Sequence, residues 1–226
     1  MKTAILVDGG FYRRRAQAVK GDVSAEKRAI ELAAYCNRHL HWHGHNSTLY
    51  RIFYYDCPPS TKKVYHPFTH KQIDLGKSEL YSWTVEFFER LKRERKFALR
   101  LGKLADEQAY YALRYDVIKK LFSGKMQLSD VTENDFQIQM EQKGVDMKIG
   151  LDISSMAYKR QVDQIILISG DSDFVSAAKL ARREGIDFIL DPLGASIKPD
   201  LFEHIDGLRT CDGDYLEKYS KSHNLV

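Results

Sequence analysis

Aspartates that follow apolar runs are the residues whose types and spacing could do chemistry in this sequence of 226 residues. Asp8 comes directly after the apolar run 3–7, and Asp171 and Asp173 follow the apolar run 164–169. Strands that are buried on both faces of a parallel sheet form such runs, and ligands bind beyond the carboxyl ends of the strands. If the two strands are neighbours, we expect these carboxylates to converge at one edge of the sheet.

Asp146 is a fourth candidate, because it opens a helix predicted over residues 144–160. A carboxylate in the first turn of a helix is favoured by the macrodipole, and Asp171 and Asp173 have the same structural alternative. Taken together, however, separate segments present the same hard oxygen ligand at one edge. Mg²⁺ and Mn²⁺ prefer carboxylate and water ligands and pair with phosphate substrates. The sequence therefore predicts an acidic pocket that binds Mg²⁺ or Mn²⁺.

Asp152 is a second-tier candidate for a ligand of the same pocket. It lies six residues after Asp146, which places it about 120° away around an ideal helix. Asp152 therefore either approaches the pocket from its rim or holds a basic residue.

Hydroxyl and basic side chains close to the aspartates in sequence are candidates for holding RNA phosphates: Ser169, Ser172, Arg13, Arg14 and Lys148. Ser172 has an equally good alternative as a helix cap. Tyr12 could stack on a base, and its alternative is a place in the core. The basic run 90–96 could neutralise phosphates or form a solvated helix face with ion pairs.

The elements that must position these residues follow from the apolar pattern. Strands are predicted at 3–7, 49–55, 164–169 and 187–190, and helices at 25–40, 78–96, 144–160 and 172–184. Their alternation indicates an α/β fold with a mainly parallel sheet and right-handed crossovers.

Two regions need a more detailed prediction than this alternation of strands and helices. In the helix 25–40, Ile30, Ala33, Ala34 and Leu40 are predicted to face the core, and Gly44 is the predicted stop. Alternating histidines from His39 to His45 suit the negative end of this helix better than a zinc site.

Half-exposed strands at 97–101 and 136–140 enclose a helix predicted at 106–122. This helical insertion, about 105–135, could be a lid, an oligomer contact or a partner surface.

Length and composition limit the possible classes of protein. The length fits one domain over 1–226, with a C-terminal extension at about 211–226. No apolar stretch approaches the roughly 20 residues of a membrane helix. The cysteines are far apart and lack zinc or disulfide spacing. We therefore expect a cytoplasmic protein that does not bind membranes. A net charge of +4 is too mild to indicate a nucleic-acid partner by itself.

Three segments resemble the signature motifs of NYN domains, and the closest group is the LabA-like proteins of bacteria. They are Ile-Leu-Val-Asp-Gly-Gly-Phe at 5–11, Gln-Lys-Gly-Val-Asp-Met-Lys-Ile-Gly-Leu-Asp at 142–152, and Leu-Ile-Ser-Gly-Asp-Ser-Asp-Phe at 167–174. The resemblance implies a PIN-like three-layer sandwich and a metal-dependent ribonuclease. The metal-binding aspartates of the family then correspond to Asp8, Asp146, Asp171 and Asp173, with Asp152 as the additional acid of the middle motif.

The expected activity is hydrolysis of phosphodiester bonds in RNA, more readily single-stranded, at an aspartate-bound Mg²⁺ or Mn²⁺ centre. The resemblance implies products with a 5′-phosphate and a 3′-hydroxyl. Many NYN domains carry an asparagine shortly after the first aspartate, whereas Gly-Gly-Phe-Tyr follows Asp8 here. This difference leaves a second hypothesis open: a weakly active or inactive module that binds RNA or a nucleotide in a regulatory role. A homo-oligomer is also compatible with the sequence.

Overall fold

The computed structural model describes residues 1–42 and 45–216, and of residues 45 and 46 it describes the backbone alone. The predicted stop at Gly44, His43 of the histidine run and residues 217–226 of the predicted C-terminal extension lie outside the described residues. The strands are β1 Lys2–Asp8, β2 His41–Trp42, β3 His45–Asn46, β4 Thr48–Asp56, β5 Lys63–His66, β6 Lys71–Asp74, β7 Phe97–Leu101, β8 Lys103–Leu104, β9 Tyr110–Leu113, β10 Phe136–Gln139, β11 Gln142–Lys143, β12 Gln164–Ile168, β13 Asp187–Asp191 and β14 Gly207–Leu208. The helices are α1 Gly9–Lys20, α2 Ala25–Leu40, α3 Glu79–Arg93, α4 Tyr115–Phe122, α5 Val145–Tyr158, α6 Val175–Arg183 and α7 Pro199–Phe202.

A central sheet of six strands organises the molecule, in the order β14-β13-β12-β1-β4-β7. Every adjacent pair in it is parallel. The α/β fold with a parallel sheet is therefore confirmed, and it is consistent with a PIN-like sandwich. The chain runs outward from β1 in one direction through β4 and β7, and from β12 in the other. The boundary between β1 and β12 is therefore the switch point at which such folds bind ligands.

Two layers of helices cover this sheet, because successive side chains of a strand point to opposite faces. Ala4 and Leu6 of β1 belong to the core cluster that contains the buried residues of α5 and α6. Ile5 and Val7 belong to the cluster that contains the buried residues of α1, α2 and α3. β1 is thus buried on both faces, which explains its uninterrupted apolar sequence.

The predicted inner stripe of α2 is wrong for Ile30 and Ala34, whereas Leu40 is buried as predicted. Ile30 is 58% exposed, and Ala34 is also exposed. The buried stripe instead includes Leu32 and Tyr35. The Tyr35 hydroxyl donates a hydrogen bond to the fully buried carboxylate of Asp191.

The insertion is less helical than predicted. The helix predicted over 106–122 is present as α4, whereas residues 110–113 form β9 and pair antiparallel with β10. Aromatic contacts account for this pairing, since the His66 ring lies 4.4 Å from that of Tyr111 and 5.1 Å from that of Phe136. β7 joins the edge of the central sheet instead of pairing with β10.

Asp191 anchors a buried polar network at the carboxyl end of β13. It accepts hydrogen bonds from His39 Nε2 at 2.9 Å, Thr210 Oγ1 at 2.8 Å and the backbone N–H of Leu193 at 2.8 Å, in addition to the bond from Tyr35. His39 therefore has a structural role at the end of α2. No helix in the described part of the chain is long and apolar enough to span a bilayer.

Candidate active site

Asp8 is fixed at the carboxyl end of β1, where the strand passes directly into α1. Its Oδ1 accepts a hydrogen bond from the backbone N–H of Phe11 at 3.0 Å and so caps the helix. Its Oδ2 accepts a hydrogen bond from Ser169 Oγ at 3.1 Å. Burial raises the pKa of Asp8 above its ordinary value, and the negative charge of Asp146 adds to the effect. The two hydrogen bonds therefore hold the carboxylate in place, while burial and the charge of Asp146 disfavour its ionised form.

Glycines allow the close approach of backbone that places Asp8. A Cβ at Gly9 would lie 2.6 Å from the Tyr54 ring and 2.6 Å from the carbonyl oxygen of Tyr55. A Cβ at Gly170 would lie 2.7 Å from the Phe11 ring. A side chain at either position would push the first turn of α1 away from the strand ends.

Ser169 joins the ends of β1 and β12. The residue is fully buried, its hydroxyl donates to Asp8, and the same oxygen accepts the backbone N–H of Asp171 at 3.3 Å. The sequence suggested that Ser169 holds a phosphate, but its hydroxyl is engaged within the protein. Its contacts instead position the two strand ends that carry the aspartates.

Asp171 and Asp173 are exposed at the turn that follows β12. Asp171 Oδ1 accepts the backbone N–H of Asp173 at 3.0 Å and caps the 3-10 turn Ser172–Phe174. Ser172 Oγ accepts a hydrogen bond from Lys198 Nζ at 3.1 Å. Sequence reasoning did not identify Lys198, because the residue lies 26 positions further along the chain in a segment without a motif.

Asp146 occupies the exposed first turn of α5, which begins after Gly144 in a left-handed conformation with φ of 80°. Partial burial raises the pKa of Asp146, and the charges of Asp171 and Asp173 raise it further. The pKa of Asp8 responds in turn to the charge of Asp146. Electrostatic repulsion thus links Asp146 with each of the other three predicted aspartates, and these four residues are referred to as the acidic cluster.

Positive charge does not balance the exposed part of this cluster. Within residues 1–42 and 45–216, no lysine, arginine or histidine forms an ion pair with Asp146, Asp171 or Asp173. Like charges without a counter-ion repel one another, so a cation between them is favoured.

The donor chemistry of the cluster fits a hard divalent cation. No group of three histidine, cysteine, aspartate or glutamate residues is close enough to hold a metal ion in the described part of the chain. Mg²⁺ does not require such a cage, because it retains several waters and commonly takes one or two carboxylates together with substrate phosphates. The aspartates thus provide suitable ligands but not a closed coordination shell.

Asp152, further along α5 than Asp146, is held by two partners. Its Oδ2 accepts hydrogen bonds from the Tyr55 hydroxyl at 2.8 Å and from Arg100 Nε at 3.0 Å. Of the two alternatives that the sequence left open, contact with a basic residue is the one observed.

The predicted phosphate-binding cations differ in their environments. Arg13 is paired with the fully buried carboxylate of Asp56 at 2.9 Å, and Asp56 also accepts the Tyr54 hydroxyl at 3.0 Å. Arg14 is exposed, and its charge lowers the pKa of Asp8, so it lies close to the cluster. Lys148 is exposed on α5, two residues after Asp146.

Two further expectations from the sequence are resolved by burial and ion pairs. Tyr12 is only 1% exposed, so stacking of its ring on a base is excluded and the alternative, a core aromatic, is correct. In the basic run, Arg90 pairs with Glu26 at 2.9 Å and Lys92 pairs with Glu89 at 2.6 Å. The basic run therefore forms a solvated helix face with ion pairs, which is the second of the two alternatives predicted for it.

A cavity of about 480 Å³ opens beside the acidic cluster, between α1 and α3. Gly10 and Arg14 of its lining come from the first turns of α1, directly after Asp8. Gln142, Leu80 and Trp83 also line it. No sequence pattern predicts this cavity, because its walls come from segments distant along the chain.

Comparison with known proteins relates the chain to one family. Residues 2–198 match the NYN domain family. A solved structure of a protein of unknown function, VPA0982 from Vibrio parahaemolyticus RIMD 2210633, is similar with 17% sequence identity, a TM-score of 0.49 and 94% of each chain covered. No curated protein matches the chain.

Proposed function

The chain belongs to the NYN domain family, and we propose that it is a metal-dependent ribonuclease that hydrolyses phosphodiester bonds of single-stranded RNA. NYN domains are part of the PIN-like nuclease superfamily. The observation that carries the proposal is the cluster of mutually repelling carboxylates at the switch point between β1 and β12. Within the family, the order and spacing of the three motifs favour the LabA-like group.

The four aspartates would hold Mg²⁺ or Mn²⁺ through their carboxylate oxygens. The ion, when bound, lowers the pKa of a coordinated water and offsets charge on the phosphate. Asp8 has the most rigid carboxylate, since Ser169 and the Phe11 N–H hold both of its oxygens.

Asp146 and Asp173 have carboxylates that accept no hydrogen bond from another described side chain, so they are free to orient the attacking water. The Asp146 carboxylate would take the proton from that water as the P–O bond forms. In-line attack expels the 3′-oxygen, which leaves as a 3′-hydroxyl after protonation, and the phosphate remains on the 5′ side.

Cations on the rim would hold the non-bridging phosphate oxygens. Lys198 lies over Ser172 at the start of the 3-10 turn, and Arg14 lies close enough to Asp8 to lower its pKa. Lys148 is exposed on α5. These cations would counter the repulsion between RNA phosphates and the aspartates.

A cleavage assay tests this proposal. The wild type should cleave a 5′-labelled single-stranded RNA oligomer in the presence of Mn²⁺, and EDTA should stop the reaction. Asp171→Asn should lose the activity and remain folded, because an asparagine oxygen can still accept the Asp173 N–H that the turn requires. Full activity of Asp171→Asn would contradict the site assignment.

A regulatory module that binds RNA or a nucleotide with little turnover is the second candidate. The spacing of the aspartates favours it, because no three of them form a closed set of ligands in the described residues. Tight binding of the oligomer without metal and without cleavage would identify this function in the same assay. A cytoplasmic location suits both candidates, since Cys36, Cys57 and Cys211 are free thiols.

A further inference from the structure

The cavity between α1 and α3 has the size and the chemistry of a small-molecule site. Its volume is about 480 Å³, and ligand sites commonly measure about 300–1,000 Å³. Its walls combine an apolar side, with Leu80 and Trp83, and a polar side, with Arg13, Arg14 and Gln142.

The apolar side of the cavity is a rigid aromatic wall. The indole of Trp83 stacks on the Phe87 ring, with 5.0 Å between the centroids and 19° between the planes. Trp83 Nε1 donates a hydrogen bond to the carbonyl oxygen of Val23 at 2.9 Å, which fixes the orientation of the ring. Leu80 extends this wall although it is 68% exposed, so the wall presents apolar surface to solvent. Planar apolar ligands such as nucleobases bind to such surfaces by stacking.

The cationic side of the cavity has hydrogen-bonding capacity that the protein does not use. Arg14 is exposed and forms no ion pair among the described residues. Nε of Arg13 is buried and has no hydrogen-bond partner in the described structure, although the rest of this guanidinium pairs with Asp56. Of the lining arginines, Arg13 pairs with Asp56 and Arg28 pairs with Glu31, so Arg14 is the one whose charge remains available to a phosphate in this part of the described chain.

The cavity and the acidic cluster share a boundary at Gly10. A Cβ built on Gly10 would lie 3.6 Å from Asp8 Oδ1 and 3.5 Å from Gln142 Oε1. The cavity therefore begins within a few ångströms of the Asp8 carboxylate, on the side where Arg14 stands. A nucleotide whose phosphate lies at the aspartates can reach the cavity with its own or the neighbouring base.

We propose that this cavity is a base-binding subsite, which takes the unpaired nucleobase adjacent to the scissile phosphate between Trp83, Leu80 and the amide of Gln142. The inference rests on the proposed ribonuclease function and adds a physical origin for single-strand selectivity. A base in a duplex is paired and stacked, so it would have to be extruded before it could enter the cavity. Duplex RNA of the same sequence is accordingly a poor ligand.

Fluorescence of Trp83 tests the subsite directly. In the Trp42→Phe variant, Trp83 is the remaining tryptophan of the chain. In EDTA, which prevents cleavage, a single-stranded RNA 8-mer should quench its emission, and the matching duplex should not. Leu80→Glu, at an exposed position that tolerates a charge, should weaken RNA binding about five- to 150-fold, the equivalent of one lost contact with a base of about 1–3 kcal/mol.

Leu208→Glu is the matched control, because it adds the same charge at another exposed leucine, on the edge strand β14. This variant should bind RNA like the wild type to within about twofold. Equal affinities of Leu80→Glu and Leu208→Glu, or equal quenching by duplex and single strand, would overturn the subsite.

Cleavage in Mn²⁺, measured on the same proteins, separates this inference from the function on which it rests. Quenching without any cleavage in the wild type would refute the ribonuclease and leave the base site standing. Cleavage that is unaffected by Leu80→Glu, together with unchanged binding, would refute the base site and leave the ribonuclease standing.

Discussion

Gly9→Ala is a perturbation whose effect can be worked out from two distances. The added methyl group would lie 2.6 Å from the Tyr54 ring and from the Tyr55 carbonyl oxygen, both of which are buried in the sheet. Backbone of a central strand cannot move aside cheaply, so the first turn of α1 must shift. Overpacking of this kind costs about 1–3 kcal/mol.

Gly10→Ala is the matched control, one residue further along the same helical turn. Its methyl group would find its nearest contacts at 3.5 and 3.6 Å, which is ordinary van der Waals separation. Alanine is also a better helix former than glycine by up to about 1 kcal/mol. We therefore expect Gly10→Ala to be as stable as the wild type or slightly more stable, and Gly9→Ala to lie about 2 kcal/mol below it.

Urea unfolding followed by far-UV circular dichroism measures both free energies of unfolding. For a chain of this size, the difference corresponds to a fall in Tm of about 4–8 °C for Gly9→Ala. The same shift displaces Asp8, so cleavage should fall about a hundredfold if its carboxylate moves by about 1 Å. Equal stability of the two variants would refute the view that close backbone packing positions Asp8.

Three further predictions concern other carboxylates. In metal-free protein, Asp8→Asn should raise the free energy of unfolding at pH 7, because the raised pKa of Asp8 means that its charged form is disfavoured in the folded state. This gain in stability should vanish below the unfolded pKa of about 3.9, where the carboxyl group is protonated in both states. A series of urea unfolding curves at different pH values measures it. Asp152→Asn should retain Mn²⁺-dependent cleavage to within about tenfold, since Tyr55 and Arg100 already occupy this carboxylate, and a complete loss would make Asp152 a ligand. Asp191→Ala should destabilise the protein by about 3 kcal/mol or more, because it leaves several buried donors unpaired, and a smaller change in urea unfolding would argue against the network.

The strand-end aspartates could be located from sequence because their signal is local. Apolar runs that end at Asp8 and before Asp171 can only be strands buried on both faces, and parallel strands bring their carboxyl ends to one edge. The inner face of α5 was equally accessible, since Ile149 and Ile153 recur at helical spacing and both are fully buried.

Features that depend on tertiary contacts could not be obtained in this way. The buried stripe of α2 includes the polar side chains Arg28 and His39, which an apolar pattern does not mark, and Tyr35 reaches Asp191, 156 residues away, through a hydrogen bond. β9 lies within the segment predicted as helix, because its partner β10 and the His66 ring against which it packs are distant in the chain. The cavity at Gly10 was missed for the same reason, since it joins α1 to Trp83 and Gln142.

The central claim is that the four aspartates act as one metal-dependent centre, and Asp146 tests it most directly because it couples to the other three. Asp116→Asn is the matched control, since Asp116 is also an exposed acid in a first helical turn and so loses the same interaction with the helix dipole. The decisive measurement is the rate of Mn²⁺-dependent cleavage of labelled single-stranded RNA by the two variants. We predict wild-type cleavage by Asp116→Asn and a loss of at least about a hundredfold in Asp146→Asn. Equal rates for the two variants would contradict the account.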